Sequence, residues 1–488
     1  MRGHAPAPSA RSWFDARAPY LIPLALAIFT RVDFARRLPF AGEDAYITFR
    51  YAENWAQGLG PVYNAGERVM GFSSPLWTAW LALGALLHAP TLDFARGSGI
   101  LFDLLALVLT ARLLTREASR ASAWAFAVFF AVFPLFSAHA VLGMETSLLV
   151  FLLAGTATAV RARHPSTGAL AACLALTRPE GLVAALIVLV LADRRAWIVF
   201  AVLFGAACGA LTMYFGSPIP QSVTAKALTY GVGGRPPALD WLEGFVPAFL
   251  AARWQNLLEA QHLFAISVLT LPAVIAGLWK LARERRGSAT IAATGLAVLM
   301  AYVLFGVPYF GWYFVLPVFG WSVAAAAGLP LVLRSRLVWG ALAVYVLSDV
   351  PYLSILYVGR NQVEVRLFRT AAESLRDASG GRGSVFLEPM GHIGYVSGLT
   401  VIDEVGLVAP EVPKRRRKGA GWYTDIVRAR RPDFLVVRPA LVDRNQALAG
   451  VATPFRSLAE RDSLLAGYAL VGEPPKTADE LVVLRRRP

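Results

Sequence analysis

Cysteine is almost absent: Cys173 and Cys208 are the only two, and both fall inside hydrophobic runs. That excludes a disulfide framework and a thiol-based metal cluster, since each needs several cysteines at short spacing. Charged residues are also scarce, at 16%, and acids are outnumbered by bases, for a net charge of +15. Neither GxxxxGK[ST] nor a strand-linked GxGxxG occurs, which argues against ATP-driven transport and against nucleotide-sugar binding by a dinucleotide fold. His139 and His392 stand alone, without a partner at metal spacing, so packing or loop hydrogen bonding is their default assignment.

What abounds is apolar. The chain is 56% hydrophobic with a mean hydropathy of +0.53, more than the cores of a soluble domain need. Apolar runs long enough to span recur at 20–37, 98–115, 121–138, 145–161, 196–215, 262–281, 288–307, 313–331 and 337–357. In lipid the backbone must satisfy itself, so these runs are helices of a polytopic membrane protein. A cleaved signal peptide is the weaker reading of the N-terminus, because Ala25-Leu26-Ala27 lies within the first run rather than after it.

Basic residues set the orientation. Arg11 and Arg17, Arg112 to Arg120, Arg161 and Arg163, Arg194 and Arg195, Lys280 to Arg286, and Arg334 and Arg336 cluster in alternate loops, which places those loops in the cytoplasm. The turns around GMETS, FGSPIP and GVPYFGWY carry almost no charge and face outward. The weak stretches 166–177 and 180–193 form an up-and-down pair with LTRPEG at its outer turn. The stretch 74–89 reads as re-entrant or interfacial, since a full crossing there would put RLLTREASR outside. The count is about eleven crossings, with the N-terminus in and the C-terminus out.

Beyond residue 358 the texture changes. A helical pattern at 362–377 precedes SVFLE, TVID, DFLVV, YALVGE and ELVVLRR, with helix-like TDIVRARR between, which indicates a small α/β domain. The organisation is therefore a cytoplasmic tail (1–18), a transmembrane domain (19–358) whose first outer loop is 38–75, and an extracytoplasmic α/β domain (359–488). The basic run 414–418 is either a solvated loop or a surface for lipid phosphates; nucleic acid is not a partner.

The first outer loop opens on Glu43 and Asp44. Asp44 is placed to cap a helix starting near Ala45, and Tyr46, Phe49, Tyr51 and Trp55 have the spacing of an interfacial helix with aromatic anchors. Two adjacent acids exceed what a cap requires, and carboxylates beside lipid are costly without a task.

The segment GEDAYITFRYAENWAQGLGPVYNAGERVMGFSSPLW resembles the opening signature of GT-C membrane glycosyltransferases, especially the mycobacterial cell-wall arabinofuranosyltransferases and their bacterial relatives. The likeness continues in order through GMETS (143–147), LTRPEG (176–181), YFGSPIPQSVTAKA (214–227), GWYFVLP (311–317) and GHIGYVSGLTVIDEVGL (391–407). Where the family shows two aspartates this chain has Glu43 and Asp44, and where it shows asparagine this chain has Gln221.

The resemblance implies a multi-pass enzyme of the bacterial inner membrane. It would move a sugar, arabinofuranose among the candidates, from a polyprenyl-phosphate donor to a glycan or other hydroxyl acceptor. Asp44 is then the general base, with Glu43 sharing that work or orienting substrate; Tyr46 and Arg50 in the same loop, and Gln221, go to substrate contact. Lys226 would support the leaving phosphate, or be a lysine beside head groups. Arg178 would touch substrate, or pair with Glu180 or with Glu145 across the bundle. Glu145 would meet acceptor or sugar, or complement a helix dipole. Trp312 and Tyr313 would stack on sugar, or be interface-belt aromatics. A monophosphate donor needs no cofactor or metal, although Glu43, Asp44 and Glu145 offer oxygen ligands to a hard divalent cation. In the tail, Gly391 and Gly394 would allow a tight strand-to-helix connection.

Two other classes stand beside this one. A transporter or flippase fits the many helices and Arg178, though no repeat of the EDAY or TRPEG texture is evident. A non-catalytic envelope scaffold fits relatives labelled as flagellar motor control proteins.

Overall fold

The computed structural model describes residues 10–230, 270–283, 287–305, 307, 310–332, 336–442, 453–475, 477 and 480–488. The first part of the run expected at 262–281 lies outside these residues. The protein is a helical membrane bundle followed by an α/β unit.

The bundle begins with α1 (Ala10–Arg37), α2 (Glu43–Ala56), α3 (Pro75–Leu86) and α4 (Thr91–Glu117), then α5 (Arg120–Val132), α6 (Pro134–Val141) and α7 (Thr146–Arg161). It continues through α8 (Thr167–Ala175), α9 (Pro179–Leu189), α10 (Arg194–Phe215) and α11 (Gln221–Tyr230). Later helices cover 270–283, Gly287–Leu304, Val315–Val332 and the 44-residue Arg336–Ser379, which runs unbroken through residue 359.

Among the described residues, four helices are long and apolar enough to cross a membrane: α4, α10, Gly287–Leu304 and the continuous Gly311–Val332. The bent pair α5 and α6 would make a fifth. That pair replaces the single span read at 121–138, because Pro134 has no N–H and the helix turns by 56° there. The stretch 74–89 is the 12-residue α3, about 18 Å long and shorter than a roughly 30 Å hydrocarbon core. The pair 166–177 and 180–193 is α8 and α9, parted by Arg178 and Pro179.

The break at Pro134 explains a fully buried arginine. Arg31 donates to the Phe130 carbonyl (2.8 Å), which the proline leaves without a helical partner, and to the Ala131 carbonyl. It also donates to Ser137 (3.1 Å) and forms an ion pair with Asp103 (2.8 Å), so α1, α4 and the α5–α6 bend share one guanidinium. Elsewhere the helices meet by small residues: a Cβ on Gly295 or Gly320 would come within 2.7 Å of the other's Cα, so Gly287–Leu304 and Val315–Val332 cross backbone to backbone. At the end carrying Arg116 and Arg161, Glu117 accepts from the backbone N–H of Gly287 (3.0 Å) and Ser288 (2.8 Å) and pairs with Arg161 (3.2 Å).

The C-terminal unit holds a five-stranded sheet: β1 (Ser384–Leu387), β2 (Thr400–Asp403), β3 (Phe434–Val437), β4 (Tyr468–Leu470) and β5 (Val482–Arg486). Its order is β2-β1-β3-β5-β4, with the first three parallel and β5 antiparallel to β3 and β4. All five runs singled out in the tail become strands. Successive side chains alternate faces: Val385, Leu387, Val401, Phe434, Val436 and Val483 form one core, and Phe386, Ile402, Leu435, Val437, Val482 and Leu484 another. The first face is covered by Ile47, Tyr51, Tyr63, Met70 and Phe72 of the loop 38–75. Loop and sheet therefore share one core.

That core corrects one expectation. Tyr46, Phe49 and Tyr51 are buried against protein, not anchored in an interface; of the four aromatics only Trp55 is exposed. α2 is packed between α3 and the helix Gly391–Ser397.

Candidate active site

The ordered motifs converge at one end of the bundle. Gly42 N–H donates to the Leu142 carbonyl (2.9 Å), and Trp77 Nε1 donates to the carbonyl of Gly143, in GMETS (3.1 Å). Leu76 N–H reaches Leu176 at the LTRPEG turn (3.1 Å), and Gln221 N–H reaches Met70 (2.8 Å).

Glu43 and Asp44 occupy the first turn of α2, whose N-cap is Gly42, so Asp44 is not the cap. Asp44 Oδ2 instead lies 3.0 Å from Lys226 Nζ on α11. Both side chains remain partly open, 28% exposed for Asp44 and 18% for Lys226. Burial alone would lower the Lys226 pKa, but Asp44 and Tyr313 outweigh it and hold the ammonium above its ordinary value. The ammonium also faces two rings, Phe310 at 4.8 Å and Trp312 at 5.7 Å, which stack on each other with centroids 4.8 Å apart. Tyr313 adjoins both rings and lies under Arg178, 5.3 Å from its guanidinium.

Arg178 is buried between two acids, with Nη1 2.5 Å from Glu145 and Nε 2.5 Å from Glu180. Both ion pairs read as alternatives in the sequence form together. Glu145 precedes α7 without capping it and is spent on this pair. Asp44, Lys226, Trp312, Tyr313, Arg178 and Glu145 thus form one connected group.

Glu43 faces elsewhere. Its carboxylate accepts from the backbone N–H of Gly391 (2.5 Å) and His392 (2.9 Å) in the α/β unit. Burial pushes its pKa up to about 8; those N–H bonds oppose the rise, and Asp44 and Glu364 add to it. A Cβ on Gly391 would overlap the Glu43 carbonyl oxygen, and one on Gly394 would overlap the Tyr63 hydroxyl. The strand-to-helix connection read from sequence is there, three residues between β1 and the helix Gly391–Ser397, and the two glycines also serve close approach to the loop 38–75. His392 stacks on Tyr46 with centroids 4.7 Å apart, and burial, then Arg369, lowers its pKa to about 4, keeping it neutral.

Three residues assigned to substrate are instead engaged by protein. Arg50 donates to the carbonyls of Tyr63 (2.9 Å), Gly394 (2.6 Å) and Leu399 (2.7 Å), one bond from each of its three nitrogens. Tyr46 is buried in the bundle core with its hydroxyl on Ala41 N–H (3.3 Å). Gln221 Nε2 donates to the Gly406 carbonyl (3.1 Å). Cationic and amide groups in an outer loop suggested ligand contact, but here they tie the loop to the α/β unit.

Sequence reasoning missed Phe310 and Asp403. Phe310 has only its place before GWYF as a signal. Asp403 accepts four backbone N–H groups, from Gly406 (2.7 Å), Leu407 (2.7 Å), Val408 (2.8 Å) and Ala409 (3.1 Å). Its signal was an aspartate three residues ahead of a turn glycine. Among the described residues no group of three His, Cys, Asp or Glu side chains could hold a metal ion.

A family model described as a domain of unknown function (DUF8728) matches residues 355–484. No curated protein matches the chain in sequence. Among solved structures, ArnT from Cupriavidus metallidurans bound to undecaprenyl phosphate is 12% identical with a TM-score of 0.61, covering 96% of this chain and 98% of that one. The archaeal oligosaccharyltransferase AglB from Archaeoglobus fulgidus, in complex with an inhibitory peptide and a dolichol-phosphate, is 13% identical with a TM-score of 0.54, covering 87% and 70%. The arabinofuranosyltransferase AftD from Mycobacteria is 16% identical with a TM-score of 0.42; the match covers 98% of this chain and 42% of AftD. The protein has the GT-C fold.

Proposed function

We propose that the protein is a membrane glycosyltransferase that takes a sugar from a polyprenyl-phosphate donor and passes it to a hydroxyl acceptor outside the cytoplasm. The observation that carries this reading is the Asp44–Lys226 pair, 3.0 Å apart beside the stacked rings of Phe310 and Trp312. The solved structures of similar fold that hold undecaprenyl phosphate or a dolichol-phosphate support the donor class.

In the resting pair, Lys226 neutralises Asp44. A donor phosphodiester entering from the bilayer competes for the ammonium: its two free oxygens carry one charge, as the carboxylate does, and they gain charge as the bond to the sugar breaks. Asp44 is then released to act as base. It takes the proton of the acceptor hydroxyl as that oxygen attacks the anomeric carbon; the new C–O bond forms while the bond to phosphate breaks, and polyprenyl phosphate leaves against Lys226. One displacement inverts the centre and needs no covalent intermediate. Trp312, with Phe310, offers a flat apolar face to the sugar, and Tyr313 with the Glu145–Arg178–Glu180 group forms the rim. Arabinofuranose is one candidate sugar, and a cell-envelope glycan one candidate acceptor.

The test is incubation of purified protein with a panel of undecaprenyl-phosphate sugars, scored for release of undecaprenyl phosphate. Wild type should release it from at least one donor, and Asp44→Asn should be slower by about 100-fold or more. An Asp44→Asn variant as fast as wild type would overturn the base assignment.

A further inference from the structure

Asp44 and Lys226 lie 182 positions apart in the chain, on α2 and α11, and each helix is fastened to the same end of the α/β sheet. On α2 the fastening residue is Glu43, immediately before Asp44, which accepts from Gly391 and His392 N–H. Arg50, two turns on, adds bonds to the Gly394 and Leu399 carbonyls. On α11 the fastening residues flank Lys226: Gln221 donates to the Gly406 carbonyl (3.1 Å) and Thr229 Oγ1 to the Val405 carbonyl (3.1 Å).

The two landing sites belong together. Residues 391–397 follow β1, and residues 405–406 follow β2, at the carboxyl ends of two strands paired in register from Ser384–Thr400 to Leu387–Asp403. Asp403, the last residue of β2, holds the N–H groups of residues 406–409, which fixes the turn and leaves the Val405 and Gly406 carbonyls to α11. Contact at the first site is so close that Gly391 has no space for a Cβ beside Glu43.

We infer that the α/β domain is the template that sets the Asp44–Lys226 spacing, with Glu43, Gln221 and Thr229 as positioning residues that clip α2 and α11 to the turns at the carboxyl ends of β1 and β2. This gives the domain of unknown function a task in the chemistry of the bundle, and it rests on the reading of Asp44 and Lys226 as the working pair. Two groups that must meet within an ångström or so lose rate steeply when their supports move.

The test uses the full chain in detergent, with two readouts. The first needs no turnover: acetylation of Lys226 by an N-hydroxysuccinimide ester at fixed pH, followed by peptide mass spectrometry. Glu43→Ala and the double variant Gln221→Ala/Thr229→Val should each speed acetylation by about tenfold, as the ammonium loses its carboxylate and its shelter. The second is transfer from whichever undecaprenyl-phosphate sugar wild type uses. Both variants should lower kcat by roughly 10- to 100-fold with donor KM within about threefold. Glu43→Gln, whose amide oxygen can still accept from Gly391 or His392, should return to within about fivefold of wild type.

Unchanged Lys226 acetylation in both clip variants would overturn the template. So would a Glu43→Gln protein as slow as Glu43→Ala, which would make Glu43 a base rather than a clip. If wild type uses no donor in the panel, the transferase reading fails by itself, and the acetylation rates still decide whether the domain holds the pair.

Discussion

Glu43 and Asp44 are neighbours in the chain and face different partners: the first accepts backbone N–H groups of the α/β domain, the second accepts from Lys226. Successive helical residues point about 100° apart, so a doublet at a helix start can serve two surfaces at once. A buried, doubly hydrogen-bonded carboxylate is poorly placed to collect a proton from an incoming alcohol. A half-open one beside an ammonium is well placed, once the ammonium is drawn off.

Lys226→Gln should weaken binding of undecaprenyl phosphate by about 10- to 100-fold, the loss expected of one charge-assisted contact. Equilibrium binding to the purified protein measures it. Equal affinity in the two proteins would remove Lys226 from the phosphate site.

Arg178→Met should be unstable for a different reason. It leaves Glu145 and Glu180 facing each other without their shared cation, a loss of about 3–5 kcal/mol for a broken buried pair. Adding Glu145→Gln and Glu180→Gln should recover much of it. Unfolding midpoints in one detergent compare the three proteins, and an Arg178→Met protein as stable as wild type would show that the group is not structural.

The clip at Glu43 should titrate. Its pKa, about 8 in the folded protein, lies above its ordinary value of 4.5, so the folded state holds the proton more tightly. The stability it contributes is full below about pH 4.5 and is lost as pH rises through about 8. The unfolding midpoint of wild type should therefore fall relative to Glu43→Gln across that window. A constant difference from pH 5 to 9 would contradict the burial of the carboxyl.

Topology gives a simpler check. In intact spheroplasts a membrane-impermeant amine reagent should label the exposed Lys414 and Lys418 of the α/β domain and spare Lys280 until the membrane is opened. Labelling of Lys280 alone would invert the orientation and put the Asp44 site on the cytoplasmic side.

The sheet was legible in the sequence because β-branched runs such as SVFL and FLVV alternate faces and are bounded by turn residues. The membrane helices were legible as apolar mass but less so as spans. Hydropathy cannot register that Pro134 bends one run in two, because a single residue changes the backbone without changing the average, whereas the pair parted at Arg178 and Pro179 was legible. At the site, residue type was a good guide to which motifs meet and a poor guide to whom each side chain serves. Arg50 and Gln221 carry the groups a ligand would want, yet each is tied to a carbonyl more than 180 positions away, which no local pattern encodes.

Arg31 has a consequence for biogenesis. Apart from Thr30 beside it, its partners, Asp103 on α4, the Phe130 and Ala131 carbonyls and Ser137, are made about 70 to 105 residues after it. Until they arrive, the guanidinium has the neighbouring Thr30 hydroxyl but lacks its carboxylate and its carbonyls, and an arginine short of acceptors is costly to take out of water. The first helix is thus secured late, only when the bend near Pro134 closes over its arginine.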